Sequence, residues 1–194
     1  VSDQITIAAS YEAKRLGIRV GTPFWEAERV IRKDLVKKHP DHAFYREISE
    51  RLMGYLRVRL GKLEIFSIDE TFATVSGMAS EYEKFAHDLK VSIYHDIGIP
   101  VSIGISNTRL RAKMFGDLHK PYGTTVIWDT DEVEALWKKL PVREVPFIGR
   151  GNADRLGAHI STVYDFYSMN PRSIQKLLGK NGVVLWCELH GVDT

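Results

Sequence analysis

The sequence predicts an α+β fold, in which a ferredoxin-like layer of strands and helices is followed by a small module built only of helices. Between residues 63 and 128 the hydrophobic pattern follows the order β-β-α-β-α-β, which supplies most elements of a ferredoxin-like layer. After about residue 129, short helical segments separated by Gly, Pro and Asn replace that pattern. This change predicts a boundary near residues 127–130.

The composition limits the classes of protein that the chain can represent. Its 194 residues, 44% hydrophobic and 27% charged, suffice for one large domain or two small ones. The single cysteine, Cys187, excludes an internal disulfide and a zinc site with several thiolates, and favours a reducing, intracellular setting. A net charge of +2 neither requires nor excludes a nucleic-acid partner. No apolar run could cross a bilayer, no signal peptide is visible, and the start at Val1 rather than Met suggests a fragment.

Each predicted element rests on a hydrophobic period and on the residues that start or stop it. Residues 5–9 form the end of a short strand, and the stretches "LEIFSID", "ETFATVSG", "PVSIGIS" and "TTVIW" form the strands of the layer. Helices begin where a capping residue precedes an apolar stripe, and they end at Pro or Gly. The predicted starts are Thr22 with Pro23, Asp41, an S-x-x-E capping box at Ser80 to Glu83, and Ser106 or Asn107; the predicted ends are Pro40, Gly61, Gly98 and Leu118.

Two adjacent carboxylates, Asp69 and Glu70, interrupt the apolar run "FSIDETFATVSG". Neighbouring side chains of a continuous strand point to opposite faces, so two acids that act together are not expected side by side in one strand. A hairpin bend around Ser67 to Glu70 removes this conflict, because both side chains can then face the open end of the sheet. Such carboxylates repel each other unless a cation lies between them, and Mg²⁺ typically uses one or two carboxylates plus phosphates. The alternative is a solvated turn with two unconnected acids.

Five stretches, in the same order along nearly the whole chain, resemble the Y-family (UmuC/DinB-like) translesion DNA polymerases. They are "SYEAKRLGIRVGTP" at 10–23, "FSIDETF" at 66–72, "PVSIGISNTRLRAKMFGDLHKPYG" at 100–123, "LPVREVPFIGRGNADRLGAHISTVYDF" at 140–166 and "LLGKNGVVLWCELHGVD" at 177–193. Each stretch alone is a weak signal, whereas the ordered set is specific. The resemblance implies partial fingers at 1–42, a polymerase palm at 43–127 with a catalytic hairpin at 63–77, and an all-α thumb with helix-hairpin-helix motifs at 128–194.

The resemblance also implies an activity. Y-family polymerases incorporate dNTPs at a primer 3′ end opposite damaged template, in translesion synthesis, DNA repair and SOS-type mutagenesis. By that resemblance, Asp69 and Glu70 bind two catalytic Mg²⁺ ions, for which Mn²⁺ can substitute, in a two-metal phosphoryl transfer. The implied partners are primer-template DNA and a dNTP, and the implied location is cytoplasmic and associated with the bacterial nucleoid.

The same resemblance implies that parts of such a polymerase lie outside this sequence. The family's first metal ligand is an Asp on its first palm strand, a few dozen residues before the position of Tyr11, and Asp3 is in the wrong place to substitute. The aromatic steric gate against ribonucleotides belongs to the same segment. The family's C-terminal little finger, which often carries a sliding-clamp motif, is not included either. We therefore expect the chain alone to have little or no activity.

Three residues match family positions that contact the incoming triphosphate: Tyr11, Lys14 and Lys120. Tyr11 and Lys14 are three apart, on one face of a helical turn. The family normally has Arg at the position of Lys14, and a lysine cannot form the forked contact of a guanidinium. Asp117 matches an acid that orients Lys120 or caps the turn. Without the resemblance, Tyr11 would be a half-buried core aromatic and both lysines would be solvated surface charges.

The stretch "VPFIGRGNADRL" at 145–156 is typical of a helix-hairpin-helix, which binds DNA phosphates through backbone N–H groups without reading bases. The alternative is an ordinary turn between packed helices. The predicted DNA contacts are Ile148, Gly149, Arg150 and Gly151 and, in a second turn "GKNG" at 179–182, Lys180. Phe147 replaces the family's first hairpin Gly. Arg109, Arg111 and Lys113 predict a further basic helix face, with a solvated face as the alternative.

Two rival interpretations remain open at this stage. A non-catalytic, DNA-binding relative of the family would keep the fold but have a degraded nucleotide site. Lys14, Phe147 and Ala8, which stands where the family often has Ser or Thr, favour it. A different ferredoxin-like palm enzyme, such as a nucleotide cyclase, is disfavoured by the helix-hairpin-helix tail. The seven histidines show no spacing typical of zinc ligands.

Overall fold

The computed structural model describes residues 5–194, apart from the side chain of Lys33. The chain divides into two compact units, a first that ends at Phe44 and a second that comprises Tyr45–Thr194. None of the helices in the described range is both long and apolar enough to cross a membrane.

The described part of the first unit contains two short helices that lie entirely within it. They are α1 (Tyr11–Arg15) and α2 (Phe24–Ile31), followed by a 3-10 turn at Arg32–Asp34. The predicted strand at 5–9 is reduced to one antiparallel bridge between Ile5 and Pro23. Thr22 does not cap α2 as predicted, because its hydroxyl accepts a hydrogen bond from the Arg19 N–H at 2.9 Å. Helix α2 therefore begins one residue later, after Pro23.

The remaining helices and the strands lie in the second unit or run into it. In chain order they are α3 (His42–Leu60), β1 (Leu63–Ile65), β2 (Thr71–Ala73), α4 (Tyr82–Ile97), β3 (Ile103–Ile105), α5 (Arg109–Leu118), β4 (Thr124–Val126), α6 (Thr130–Trp137), α7 (Arg150–Leu156), α8 (Val163–Tyr167) and α9 (Pro171–Leu189). Short 3-10 turns cover Ala79–Glu81 and Val142–Glu144. Gly179 has a non-helical φ of 70° inside α9, so α9 consists of two helices joined at that residue.

Several of the predicted helix caps differ in the structure. Asp41 caps α3 as predicted, since its carboxylate accepts a hydrogen bond at the start of that helix. Thr108, rather than Ser106 or Asn107, caps α5. The predicted capping box at Ser80 is wrong, because a 3-10 turn already begins one residue before it and leads into α4.

The four strands of the described range form two separate two-stranded sheets. β1 pairs with β2 antiparallel, and β3 pairs with β4 parallel, with α5 as the crossover between them. The predicted order β-β-α-β-α-β is therefore present, whereas residues 5–194 do not form a single ferredoxin-like sheet. The reason is that each strand has only three residues, and no strand of the described range bridges the two pairs.

Helix α5 packs so closely on β3 that the contact requires glycine. A Cβ atom on Gly104 would lie 2.0 Å from the Ala112 carbonyl oxygen and 2.4 Å from the Gly116 nitrogen. No side chain fits that space, so the strand and the helix meet backbone to backbone.

One hydrophobic core joins α5 to the helices that follow it. Phe115 of α5 and Trp137 of α6 are fully buried, and their ring centroids are 5.8 Å apart. Phe166 of α8 and Leu189 of α9, also fully buried, belong to the same cluster. The core therefore continues across residues 127–130, where the sequence pattern changes.

The first turn of α5 is anchored to the end of α9 by reciprocal hydrogen bonds. Glu188, only 7% exposed, accepts from the Leu110 N–H at 2.8 Å, and its backbone carbonyl accepts from the Thr108 hydroxyl at 2.9 Å. Arg111 donates to the Leu189 carbonyl through Nε at 2.9 Å and Nη2 at 2.6 Å, and burial lowers the pKa of its guanidinium. These contacts pair charges with the open ends of two helices, where N–H and C=O groups lack helical partners.

We predict that Glu188→Ala lowers the free energy of unfolding by about 1–3 kcal/mol, because it leaves the buried Leu110 N–H without its acceptor. Urea denaturation followed by circular dichroism measures the change. Glu47→Ala, at an exposed position of α3, is the control and should shift the same quantity by no more than about 0.5 kcal/mol. Equal effects of the two substitutions would contradict the anchoring role of Glu188.

Candidate active site

The two adjacent acids lie in a five-residue loop at the tip of the β1–β2 hairpin, as the sequence predicts. The strand register pairs Ile65 with Thr71, so residues 66–70 lie outside the ladder. The N–H groups of Phe66 and Ser67 both donate to the Glu70 carbonyl at 3.0 Å, which closes the loop. Side-chain alternation therefore ends before the acids, and the conflict between their adjacency and a joint role disappears.

The two carboxylates have different surroundings. Asp69 is exposed, and its Oδ1 accepts a hydrogen bond from the Ser67 hydroxyl at 2.6 Å. Glu70 is half-buried and forms an ion pair with the ammonium group of Lys113 on α5. The loop thus presents one carboxylate oriented by a neighbouring hydroxyl and one already bound to a cation.

The donor set of this loop fits a hard divalent cation only in part. Two carboxylates suit Mg²⁺, which completes its six ligands with water and phosphate oxygens. Within the residues that the structure describes, no group of three or more His, Cys, Asp or Glu side chains could hold a metal ion. Asp3, considered and set aside as a third ligand, lies outside the described residues. Any further oxygen ligands would come from a substrate or from elsewhere in the protein.

Lys120 lies in the turn between α5 and β4, where two contacts fix its surroundings. Its ammonium forms an ion pair with Asp117, three residues earlier, in agreement with the predicted orienting role of that acid. The turn itself is held by Lys90, a buried residue of α4. The Lys90 ammonium donates to the Tyr122 carbonyl at 3.2 Å and lies 4.4 Å from the centroid of the Tyr122 ring.

Sequence reasoning missed Lys90, although the pattern held a signal. Ala86, Lys90 and Ile93 are spaced as one face of a helix, so a lysine occupies a position where the stripe of α4 calls for an apolar residue. All three are buried in the structure. A charged residue on a buried face needs a polar partner, and here that partner is the turn next to Lys120.

Tyr11 and Lys14 lie in the first unit, on helix α1. Ser10 caps this helix by accepting from the Ala13 N–H at 3.3 Å. The Lys14 ammonium lies 4.7 Å from the centroid of the Tyr11 ring, which agrees with the prediction that both residues share one face. Both side chains are exposed. Tyr11 is therefore not a core aromatic of the unit that contains it.

The first predicted helix-hairpin-helix turn links the 3-10 turn at Val142–Glu144 to α7. Ile148 is buried, and its N–H donates to the Val145 carbonyl at 3.0 Å, so a phosphate would compete with that bond. Gly149 directly precedes α7, whose first two residues are Arg150 and Gly151. The expected phosphate contact then rests mainly on the backbone of these three residues.

Phe147 has a left-handed backbone conformation, which glycine adopts without strain. Its φ is +69°, a left-handed value that costs a non-glycine residue about 1–2 kcal/mol. The Asn152 side chain donates to its carbonyl at 3.0 Å, and its ring packs edge-on against Phe66 with centroids 6.1 Å apart. The Asn152 bond therefore supports the left-handed turn, and the Phe147 side chain contacts the hairpin that bears Asp69 and Glu70.

The second predicted turn coincides with the break in α9. Gly179 has φ +70°, and Lys180 after it is exposed. A Cβ atom on Gly182 would lie 2.5 Å from the Leu178 Cβ and 3.0 Å from the Ile174 side chain. The segments on either side of Gly179 thus pack closely at Gly182, which explains both glycines of "GKNG".

The predicted basic face of α5 is wrong as a single surface. Arg111 is buried against α9, and Arg109 forms an ion pair with Glu64 of β1 at 2.5 Å. That hydrogen bond raises the pKa of Arg109. Lys113, one turn further along, pairs with Glu70. The three cations have different partners because one side of α5 faces α9 and another faces the hairpin.

Comparison with known proteins gives consistent matches. The impB/mucB/samB family matches residues 1–117. DNA polymerase IV 1 of Halalkalibacterium halodurans is 32% identical over 192 residues, which cover 97% of this chain and 46% of the relative. DNA polymerase IV of Bacillus anthracis is 33% identical over 193 residues, with coverage of 97% and 46%. The chain therefore spans about half the length of the curated relatives that it matches.

Solved structures agree with these sequence matches. The insertion ternary complex of Dbh DNA polymerase matches with a TM-score of 0.82 and 28% identity, over 95% of this chain and 55% of that one. The crystal structure of DinB from Sulfolobus solfataricus matches with a TM-score of 0.81 and 28% identity, with the same coverage. Both matches extend over nearly the whole chain.

We predict that the Phe147→Gly variant is more stable than Phe147→Ala by about 1 kcal/mol, because alanine keeps the left-handed strain and both variants lose the contact with Phe66. Urea denaturation measures the two free energies of unfolding. The same pair at Val58, an exposed helical position of α3, should show the opposite order, since glycine weakens a helix. An alanine variant at 147 as stable as the glycine variant would contradict a left-handed turn.

Proposed function

The chain belongs to the impB/mucB/samB family, and we propose that the whole protein is a Y-family, DNA-directed DNA polymerase. It incorporates dNTPs at a primer 3′ end opposite damaged template, a reaction that serves DNA repair and the SOS response. The observation that carries this proposal is the pair Asp69 and Glu70 at the tip of a hairpin inside the family-matched region. The relatives named DNA polymerase IV support the same reaction class.

Asp69 and Glu70 would hold the divalent ions, either two Mg²⁺ or Mn²⁺ in their place, because hard cations prefer carboxylate and phosphate oxygens. A third carboxylate from outside residues 5–194 would complete the set of protein ligands. When bound, such ions activate the primer hydroxyl and neutralise the charge of the leaving pyrophosphate. The hairpin would then hold both carboxylates outside the strand ladder, where substrate oxygens can reach them.

The chain's cationic side chains would bind and orient the triphosphate. Lys120, paired with Asp117, offers a positioned ammonium group, and Tyr11 with Lys14 offers a hydroxyl and a second ammonium group. Phosphoryl transfer needs little covalent chemistry from the protein, so positioning and charge stabilisation dominate. Lys14 has a compact ammonium group and cannot make the bidentate contact of a guanidinium. We therefore expect it to orient the nucleotide less tightly than an arginine would.

The turns at 145–151 and 179–182 would bind the DNA backbone, as two helix-hairpin-helix motifs of a thumb. Gly149, Arg150 and Gly151 present a backbone and a guanidinium, and Lys180 adds an exposed charge. Contacts of this kind bind phosphates in any sequence and release counterions, so the affinity should fall with salt. A sliding-clamp contact through a region outside this chain, and a cytoplasmic location at the nucleoid, stay predictions.

The rival proposal is a non-catalytic, DNA-binding relative. Lys14 and Ala8 still favour it, because they replace family residues that contact phosphate. Phe147 no longer does, since its φ of +69° preserves the glycine-type turn. An ordered hairpin with two adjacent carboxylates also has no evident use in a protein that only binds DNA.

We predict that Asp69→Asn lowers primer extension by the whole protein at least about a hundredfold, because a neutral amide would bind the divalent ions that stabilise the transition state less tightly than a carboxylate. DNA affinity, measured by fluorescence anisotropy, should change less than about threefold, since phosphate contacts lie elsewhere. A chelator should abolish extension by the parent protein in the same way while DNA binding persists.

Asp88→Asn, at an exposed acid of α4 that pairs with Lys84, is the matched control and should extend primers like the parent. If the Asp69→Asn variant still extended primers like the parent, the assignment of Asp69 to the active site would be wrong. A parent protein that binds DNA in a salt-sensitive way and never extends a primer would establish the rival proposal instead.

A further inference from the structure

The ion pair between Lys113 and Glu70 joins two residues that are 43 positions apart in the sequence. It comes from a helix with little freedom to move, because α5 buries Leu110, Met114 and Phe115 in the core. The Lys113 side chain is itself only 20% exposed, and its ammonium lies 5.7 Å from the centroid of the Phe66 ring. The positive charge of Lys113 is therefore fixed beside the hairpin loop.

This fixed charge and a divalent ion would compete for the same carboxylate. A Glu70 oxygen that accepts a hydrogen bond from an ammonium group is a weaker metal ligand than a free one. The ammonium and a bound divalent ion also repel each other at short range, in a site that is screened less than open solvent. Without Lys113, however, the carboxylates of Asp69 and Glu70 would repel each other in the empty loop.

We propose that Lys113 is a positioning residue of the metal site, which neutralises Glu70 until a divalent ion binds and so sets the affinity for that ion. The inference rests on the proposed function, which assigns Asp69 and Glu70 to the metal. The ammonium would release Glu70 to the ion and stay beside the loop, so that Glu70 has a cationic partner in both states. The ion is then retained mainly when a triphosphate supplies additional oxygens.

Arg109 already provides a mechanical link between α5 and the hairpin, so Lys113 is not needed for that role alone. Arg109, one turn earlier on the same side of α5, pairs with Glu64 and ties β1 to the helix. Both cations hold the hairpin, but Glu70 is an assigned metal ligand and Glu64 is not. Substitution of Arg109 is therefore a matched control. It removes an ion pair between the same helix and the same hairpin without any change at a proposed metal ligand.

The inference predicts tighter metal binding when Lys113 loses its charge. In the whole protein without DNA, Lys113→Met should bind Mn²⁺ about three- to tenfold more tightly than the parent, because a repelling cation and a competing donor are both removed. Lys113→Arg should stay within about twofold of the parent, since it keeps the charge. The Mn²⁺ affinity of Arg109→Met should also stay close to that of the parent. High salt should reduce the difference in Mn²⁺ affinity between Lys113→Met and the parent.

Electron paramagnetic resonance of free Mn²⁺ measures these affinities, and the part of the binding that Asp69→Asn removes defines the hairpin site. Thermal denaturation of each variant checks that it is folded. Lys113→Met binding equal to or weaker than the parent's would overturn the inference. So would an equal gain in Arg109→Met, which would show a general charge effect.

The test separates this inference from the proposal on which it rests. If the parent binds no Mn²⁺ that Asp69→Asn removes, the metal site itself is wrong and the role of Lys113 falls with it. If the hairpin binds Mn²⁺ but Lys113→Met leaves the affinity unchanged, the metal site stands and only the role of Lys113 is overturned.

Discussion

The anchoring of α5 to the end of α9 is the constraint on which the rest of the second unit depends. Glu188 and Arg111 satisfy the open ends of both helices from buried positions, which fixes the start of α5. Helix α5 then directs Lys113 toward the hairpin and ends next to the turn of Lys120. One helix therefore positions cations around the carboxylate loop and at the predicted triphosphate contact. Its own position depends on hydrogen bonds to a helix whose residue Glu188 lies 78 positions after Leu110.

Charge balance connects the fold to the proposed chemistry. The β1–β2 hairpin is short, and two of its acids form ion pairs: Glu64 with Arg109 and Glu70 with Lys113. Under the proposed function this site would accept a metal and a triphosphate, and it would then need both signs of charge close together before either binds. The paired state of these residues supplies them, and a loop with unpaired acids would be less well ordered.

The sequence predicted much of this arrangement, and the failures have physical causes. The hairpin at Asp69 and Glu70 followed from the conflict between adjacent acids and strand alternation, and the helix periods located the elements well. The caps at Ser80 and Asn107 failed because several residues near a helix start can cap it, and tertiary contacts select one. The burial of Arg111 and the ion pair of Lys113 could not be predicted from the sequence, because those contacts join residues that are far apart in it. Lys90 was readable as a charge on an apolar stripe.

The most direct test of the central claim locates the metal. Fe²⁺ replaces Mg²⁺ in the whole protein, ascorbate and peroxide generate hydroxyl radicals at the bound ion, and mass spectrometry maps the cuts in the chain. We predict cuts within residues 66–70 that excess Mg²⁺ suppresses and that the Asp69→Asn variant lacks, because the proposed ligands Asp69 and Glu70 lie in that loop. Cuts confined to other segments, or cuts at the loop that persist in that variant, would contradict the assignment.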